Sequence, residues 1–293
     1  MFCLTKIWEH TNEKFSINKL AFSSSKNLAF VSYSKCAYVF DPDGNLLNEV
    51  CGDSYMESVS YYDGKFGFTN WDEHVYITDE SGGLIKKLKI GGDYTQSIGL
   101  TQNGFLACRS KCGFFDFNGN KYWDLEIRFV LNNPVFHKGY WFIPSHGLKK
   151  LFVVKNGEIV KEIESEEYVN SVGVCDNYLA MSTYYTLNLF DIRNPEEPKR
   201  IWTKSNFNGA NQVAFDSSCK YIAVANQNGK KLEIISLDKK TVLSREYNAE
   251  VTSVAWQEDR IAVGLWDMFN GYVRVYKIGK LKMLFSLSRN SFS

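Results

Sequence analysis

Three features of the sequence predict an all-β fold, a seven-bladed β-propeller of four-stranded antiparallel blades. The first is a repeat. VTSVAW (251–256) has apolar residues at its first, fourth and sixth places, and VNSVGV (169–174) has the same form eighty-two residues earlier. INKLAF (17–22), MESVSY (56–61), TQSIGL (95–100), NNPVFH (132–137) and ANQVAF (210–215) share its centre. The central residues Leu20, Val59, Ile98, Val135, Val172, Val213 and Val254 are spaced 39, 39, 37, 37, 41 and 41 residues apart. Seven copies therefore fill the 293 residues and imply one domain, 1–293.

The second feature is composition. Aromatic residues make up 15% of the chain, with 17 Tyr and 21 Phe, and such flat side chains suit a pleated, half-buried surface. The third is turn chemistry. Gly44, Gly82, Gly119 and Gly157 are 38, 37 and 38 residues apart, where tight hairpins need a positive φ.

Each repeat divides into four short strands. In the first, INKLAF leads through SSSKN to LAFVS (28–32), then AYVFD (37–41), the turn PDGN and LLNEV (46–50). The second follows the same order with MESVSY, FGFT (66–69), VYITD (75–79) and LIKKLKI (84–90). Second strands such as YLAMS (178–182), YIAVA (221–225) and RIAVG (260–264) are almost continuously apolar, which in a sheet means burial on both faces. A four-stranded sheet so apolar cannot stand alone, and seven of them stacked around an axis bury those faces mutually.

Closure of the ring has two candidate strands. KIWEHTNEKFSINKLAF (6–22) parallels RIWTKSNFNGANQVAF (200–215), so Lys6–His10 reads as the outer strand of the last blade. KLKMLFSL (280–287) reads the same way, by analogy with GEIVKEIE (157–164).

SVAWQEDRIAVGLWDMFNGYVRVYKI (253–278), LNLFDIRNPEEP (187–198) and FDSSCKYIAVANQNGKKLEIISL (215–237) resemble WD40 repeats. The resemblance covers the chain as a pattern and is sharpest in its last three repeats. The family's Gly-His dipeptide is missing from every repeat. Trp-Asp occurs at Trp71-Asp72, Trp123-Asp124 and Trp266-Asp267, but not at the end of a third strand, where Asp41, Asp79 and Asp191 stand instead. The pattern is that of a divergent WD40-like propeller, stiffened by stacking more than by polar networks.

The formal charge is +1 with a pI near 7.5, which provides no global basic field for phosphate backbones and argues against nucleic acid as the partner. A local basic patch stays open. Seven cysteines, at 3, 36, 51, 108, 112, 175 and 219, show no CxxC pair and mostly sit in different repeats, so they read as small core hydrophobes. No apolar run exceeds five residues, too short for a membrane span or a signal-peptide core. The expectation is a reducing, cytoplasmic location.

In a propeller the first strand of each blade lines a central channel. The polar place before each central apolar pair holds Asn18, Glu57, Gln96, Asn133, Asn170, Asn211 and Thr252. These read as a recognition rim at the channel mouth, since amides both donate and accept hydrogen bonds, or as ties between neighbouring blades. Tyr55, Tyr94 and Tyr168, two residues before three of those places, read as interface residues or as wedges between blades. Replacing Asn170, Asn211 and Tyr168 by alanine is expected to weaken partner binding with little change in melting.

No grouping of acids, bases or nucleophiles follows the repeat, and the four histidines lack metal-ligand spacing. GxSxG, HExxH and GxxxxGK[ST] are absent. The expected function is therefore a non-enzymatic protein-binding scaffold, a subunit of a larger assembly, with no cofactor; the resemblance implies the same, because WD40 proteins hold partners at that mouth. The alternative is a lactonase-like propeller hydrolase with a divalent cation held by Glu57, Asn133, Asn170 and Asn211. One carboxylate is poor compensation for a hard dication.

Overall fold

A computed structural model describes residues 2–280. Among them are seven four-stranded sheets, and in six the strands pair in chain order from the channel outward. All pairings are antiparallel, so this is the predicted seven-bladed β-propeller. The hydrophobic side chains gather in seven clusters, one at each junction between neighbouring blades. Between the first two blades, Ala29, Val31, Ala37 and Val39 face the larger Phe66, Phe68 and Tyr76. Each sheet is apolar on both faces because its neighbours supply the cover, at roughly 25 cal/mol for every Å² of apolar surface removed from water.

The four turn glycines have φ between +84° and +90°, and three of them also make room for the preceding blade. A Cβ on Gly44 would lie 2.6 Å from the Trp8 ring, one on Gly82 2.8 Å from Asn48, and one on Gly157 2.8 Å from Trp123. Each partner stands on the outer strand of the blade before.

Trp8 belongs to that series because the chain closes on its own N-terminal segment. In the seventh blade Glu250–Gln257, Arg260–Trp266 and Asn270–Lys280 are followed outward by Phe2–Glu13. A bulge at Ile7 shifts its register, as one does at Leu47, Ile85, Tyr122, Val160, Ile201 and Val242 in the other outer strands. Bulged edges pair poorly with foreign strands. The Trp8 indole donates to the Pro42 carbonyl at 3.2 Å, and that of Trp202 to the Leu237 carbonyl at 2.7 Å. The parallel between KIWEH and RIWTK thus has a shared structural role. The rival segment KLKMLFSL lies outside the described residues beyond Lys280.

The cysteines depart from expectation. Cys36 joins Cys51 across the third and outer strands of blade one, and Cys108 joins Cys112 across a hairpin in blade three. Cys175 joins Cys219 between blades five and six, closing a separation of 44 residues. Strand register and blade contact bring these pairs together, which linear spacing does not reveal. Disulfides persist in oxidising surroundings, so the ground for a reducing compartment falls away. No helix among the described residues is long and apolar enough to cross a membrane.

Alkylating the denatured, unreduced protein should label one thiol, Cys3, and labelling after reduction should reach all seven. Seven labels without reductant would show the bridges to be open. Cys175→Ser should cost about 2–4 kcal/mol through lost loop constraint, read as a lower melting temperature.

Candidate functional site

Four antiparallel strands alternate in direction, so the loops entering the inner strands and the loops joining second to third strands open on one face. At the centre of that face is a cavity of about 460 Å³, lined by Asn18, Lys19, Tyr33, Glu57, Gln96, Asn132, His146, Asn170, Asn211 and Thr252 among others. In five blades the inner strand carries a bulge at the rim residue itself: Asn18, Glu57, Asn170, Asn211 and Thr252 are each skipped in the register. A bulge re-aims a side chain, and here it turns each toward the channel.

Six of the seven predicted rim residues line the mouth. The seventh is a correction, because Asn132 stands where Asn133 was expected. Blade four has no such bulge: Pro134 lies between, and the inner strand begins at Val135. Asn133 sits one layer deeper, where its amide donates to the Val59 carbonyl at 2.7 Å and its oxygen accepts from Ser58. It thus reaches from blade four to blade two. Gly99 of blade three makes this approach possible, since a Cβ there would lie 2.3 Å from the Pro134 oxygen.

The ring divides into two parts. The Asn170 amide donates to the Ala210 carbonyl at 3.2 Å, that of Asn211 to the Thr252 carbonyl at 2.8 Å, and the Thr252 hydroxyl to the Ile17 carbonyl at 2.6 Å. These are ties running from blade five through six and seven to one. Asn18, Glu57 and Gln96 make no such bond to the next blade. Asn18 Nδ2, Glu57 Oε2 and Asn132 Oδ1 are buried without a hydrogen-bond partner.

The tyrosines also separate. Tyr55 and Tyr168 are 45% and 47% exposed. Tyr55 meets Trp71 edge to face at 6.3 Å, and Tyr168 stacks on His146 at 4.4 Å with the Lys149 ammonium 5.3 Å above its ring. Tyr94 is buried, which corrects its reading as a rim residue. A single turn of 3₁₀ helix, Gly92–Tyr94, folds it inward against Phe115 at 5.2 Å, and its hydroxyl donates to Asp124 at 3.2 Å.

The Trp-Asp dipeptides find local roles. Asp72 and Asp267 accept the hydroxyls of Tyr76 and Tyr272, each at 2.7 Å, in the turns between second and third strands. Asp41 caps the Asp41–Asn45 turn through the backbone of Asp43 and Asn45, and the Asn45 amide is the chief group holding its carboxyl below the usual range.

Lys19 escaped the sequence reading, which looked at the rim place and not the one after it. It is 9% exposed, and burial pulls its ammonium down to about 8, with the Glu57 charge opposing. Burial pushes the Glu57 carboxyl up, against Lys19, Trp71 and Arg109. His146 is held below its usual range by burial. Glu250 accepts the Gln227 amide at 2.8 Å.

The four residues suggested for a dication are not assembled. Asn133 lies deeper, the Asn170 and Asn211 amides are committed to ties, and the Lys19 ammonium acts on Glu57. No protein-family model and no curated protein matches the chain.

Proposed function

We propose that the protein is a non-enzymatic interaction module, a divergent propeller of the WD40 type, that binds a protein partner on the face carrying the channel mouth. One observation supports this above the others. Of the twenty exposed large apolar side chains among the described residues, ten stand on the loops of that face, including Tyr33, Tyr55, Trp71, Tyr168, Tyr185 and Phe269. Eight lie on outer strands, and only Tyr62 and Phe136 belong to the opposite end.

The loops of the two ends thus divide ten to two. Tyr and Trp, five of the six just named, are the residues that most often carry binding energy at interfaces. Their wide separation around a rigid ring suits a folded partner or a long segment laid over the mouth. The WD40-like pattern of the last three repeats supports the same reading by analogy.

The test compares tagged protein with two variants in extracts of its native cells. One carries Tyr55→Ser, Trp71→Ser and Tyr168→Ser; the other carries Tyr62→Ser and Phe136→Ser on the opposite end. The expected result is a stoichiometric protein that is lost with the first variant and kept with the second. Retention by the first variant, or loss only with the second, would move the interface off this face.

A further inference from the structure

The mouth cavity holds two departures from the repeat, in adjacent blades and of opposite charge. At the place of Lys19 the other six repeats carry Ser58, Ser97, Pro134, Ser171, Gln212 and Ser253; at the place of Glu57 they carry Asn18, Gln96, Asn133, Asn170, Asn211 and Thr252, all of them uncharged. A ring built from similar units has two neutral solutions already, and in blades one and two it has replaced them by an ammonium and a carboxylate. Burying a charge is costly unless it is paired and hydrogen-bonded.

Lys19 and Glu57 act on each other through space, and Trp71 and Arg109 also act on Glu57, but among the described residues neither charge has an ion-pair partner within 4.0 Å. Lys19 forms no ion pair within 4.0 Å and no side-chain hydrogen bond there, and the only charge acting on it is that of Glu57 through space. Glu57 leaves one oxygen without a partner. Beside them, the Asn132 amide oxygen lacks a donor, and the Asn18 amide nitrogen lacks an acceptor apart from the Tyr33 hydroxyl it acts on. Both asparagines line the same cavity. The cavity thus presents two donors, Lys19 and Asn18, and two acceptors, Glu57 and Asn132, with one formal charge of each sign. Glu250 is set apart from this count by its bond from Gln227.

We propose that the mouth cavity is a binding site for an α-amino acid or a close zwitterionic analogue. Its carboxylate is received by Lys19 and the Asn18 amide, and its ammonium by Glu57 and the Asn132 oxygen. A monoanion would leave Glu57 unpaired and a cation would leave Lys19 unpaired, whereas a zwitterion satisfies both and adds no net charge. At about 460 Å³ the cavity is within the size range of small-molecule sites. The inference stands apart from the partner reading, because it needs neither Tyr55 nor Tyr168.

The experiment titrates the full chain with each of the standard L-amino acids in turn, read by calorimetry and by the rise in melting temperature. For any that binds, the corresponding amine lacking the carboxylate and acid lacking the ammonium are titrated alongside. Lys19→Ser and Glu57→Gln are the variants, each installing a residue type that other blades already tolerate at that place.

The expected result is binding of at least one amino acid. Each truncated analogue, and each variant, should then bind at least about tenfold more weakly, as loss of a buried charge-assisted hydrogen bond requires. If no amino acid binds the wild-type chain, or if the analogues bind as well as the parent, the proposal is wrong. Unchanged affinity in both folded variants would equally overturn it. The analogue series on wild-type protein decides the matter even if a variant fails to fold.

Discussion

Removal of residues 2–13 is expected to abolish cooperative folding. That segment supplies eleven register pairs to the strand Asn270–Lys280 and, among the described residues, completes the last blade from the chain that leads into the first. Its side chains also fasten three blades. Phe2 meets Tyr221 of blade six edge to face at 4.8 Å, Trp8 stacks on Phe40 of blade one at 5.5 Å, and His10 contacts the Phe40 ring at 4.8 Å. Glu9 pairs with Arg274 within the seventh blade.

Domains are stable by only about 5–15 kcal/mol, and truncating one buried Trp to Ala alone costs about 3–5 kcal/mol. Losing the strand removes that contact, the ladder and ring closure together, and leaves the edge of Asn270–Lys280 open to pairing with other chains. The truncated chain should therefore elute as aggregate and show no sharp melting transition. Trp8→Ala is the graded version. Since Trp8 is only partly buried, about 3 kcal/mol is expected, or roughly 6–12 °C for a chain of this size. A truncated protein that still melts cooperatively within a few degrees of the full chain would mean that another segment closes the ring.

The fold was legible because its determinants are local and repeated. A turn glycine needs its positive φ whatever surrounds it, and a run such as Tyr221-Ile222-Ala223-Val224-Ala225 announces burial on two faces by itself. Closure was half legible: Ile7-Trp8 matches Ile201-Trp202 in sequence, but only the shared bulge and indole bond decide that the match is one of role. The cysteines were misread because Cys36 meets Cys51 through strand register and Cys175 meets Cys219 through blade contact. The rim was legible to within a residue. Asn132 and Asn133 are chemically identical in the sequence, and the choice between them depends on Pro134 and the missing bulge in blade four. Lys19 went unread because its meaning depends on a cavity that no single repeat contains.

Replacing Asn170 and Asn211 together by alanine is expected to lower the melting temperature, which revises the expectation that they could be removed at little cost. Each amide satisfies a carbonyl of the next blade at the channel wall, on Ala210 and on Thr252, which are 0% and 6% exposed. A buried acceptor stripped of its donor costs about 1–3 kcal/mol, so the pair should lose about 2–6 kcal/mol if the two act independently. They are consecutive members of one chain of ties, which continues through the Thr252 hydroxyl to Ile17, and neighbours in a network depart from additivity. On a chain of this size the loss should be read as roughly 5–20 °C by calorimetry. Tyr168→Ser, at a half-exposed ring outside that chain, should stay within about 0.5 kcal/mol of wild type, as ordinary surface changes do. The contrast between the two substitutions separates the parts of the mouth. If the double asparagine variant melts like wild type, those amides are free, and the mouth offers a partner a continuous polar ring. If it melts early, recognition belongs to the rim residues of blades one to four and to the exposed aromatics of that face, while the rim residues of blades five to seven hold the ring shut.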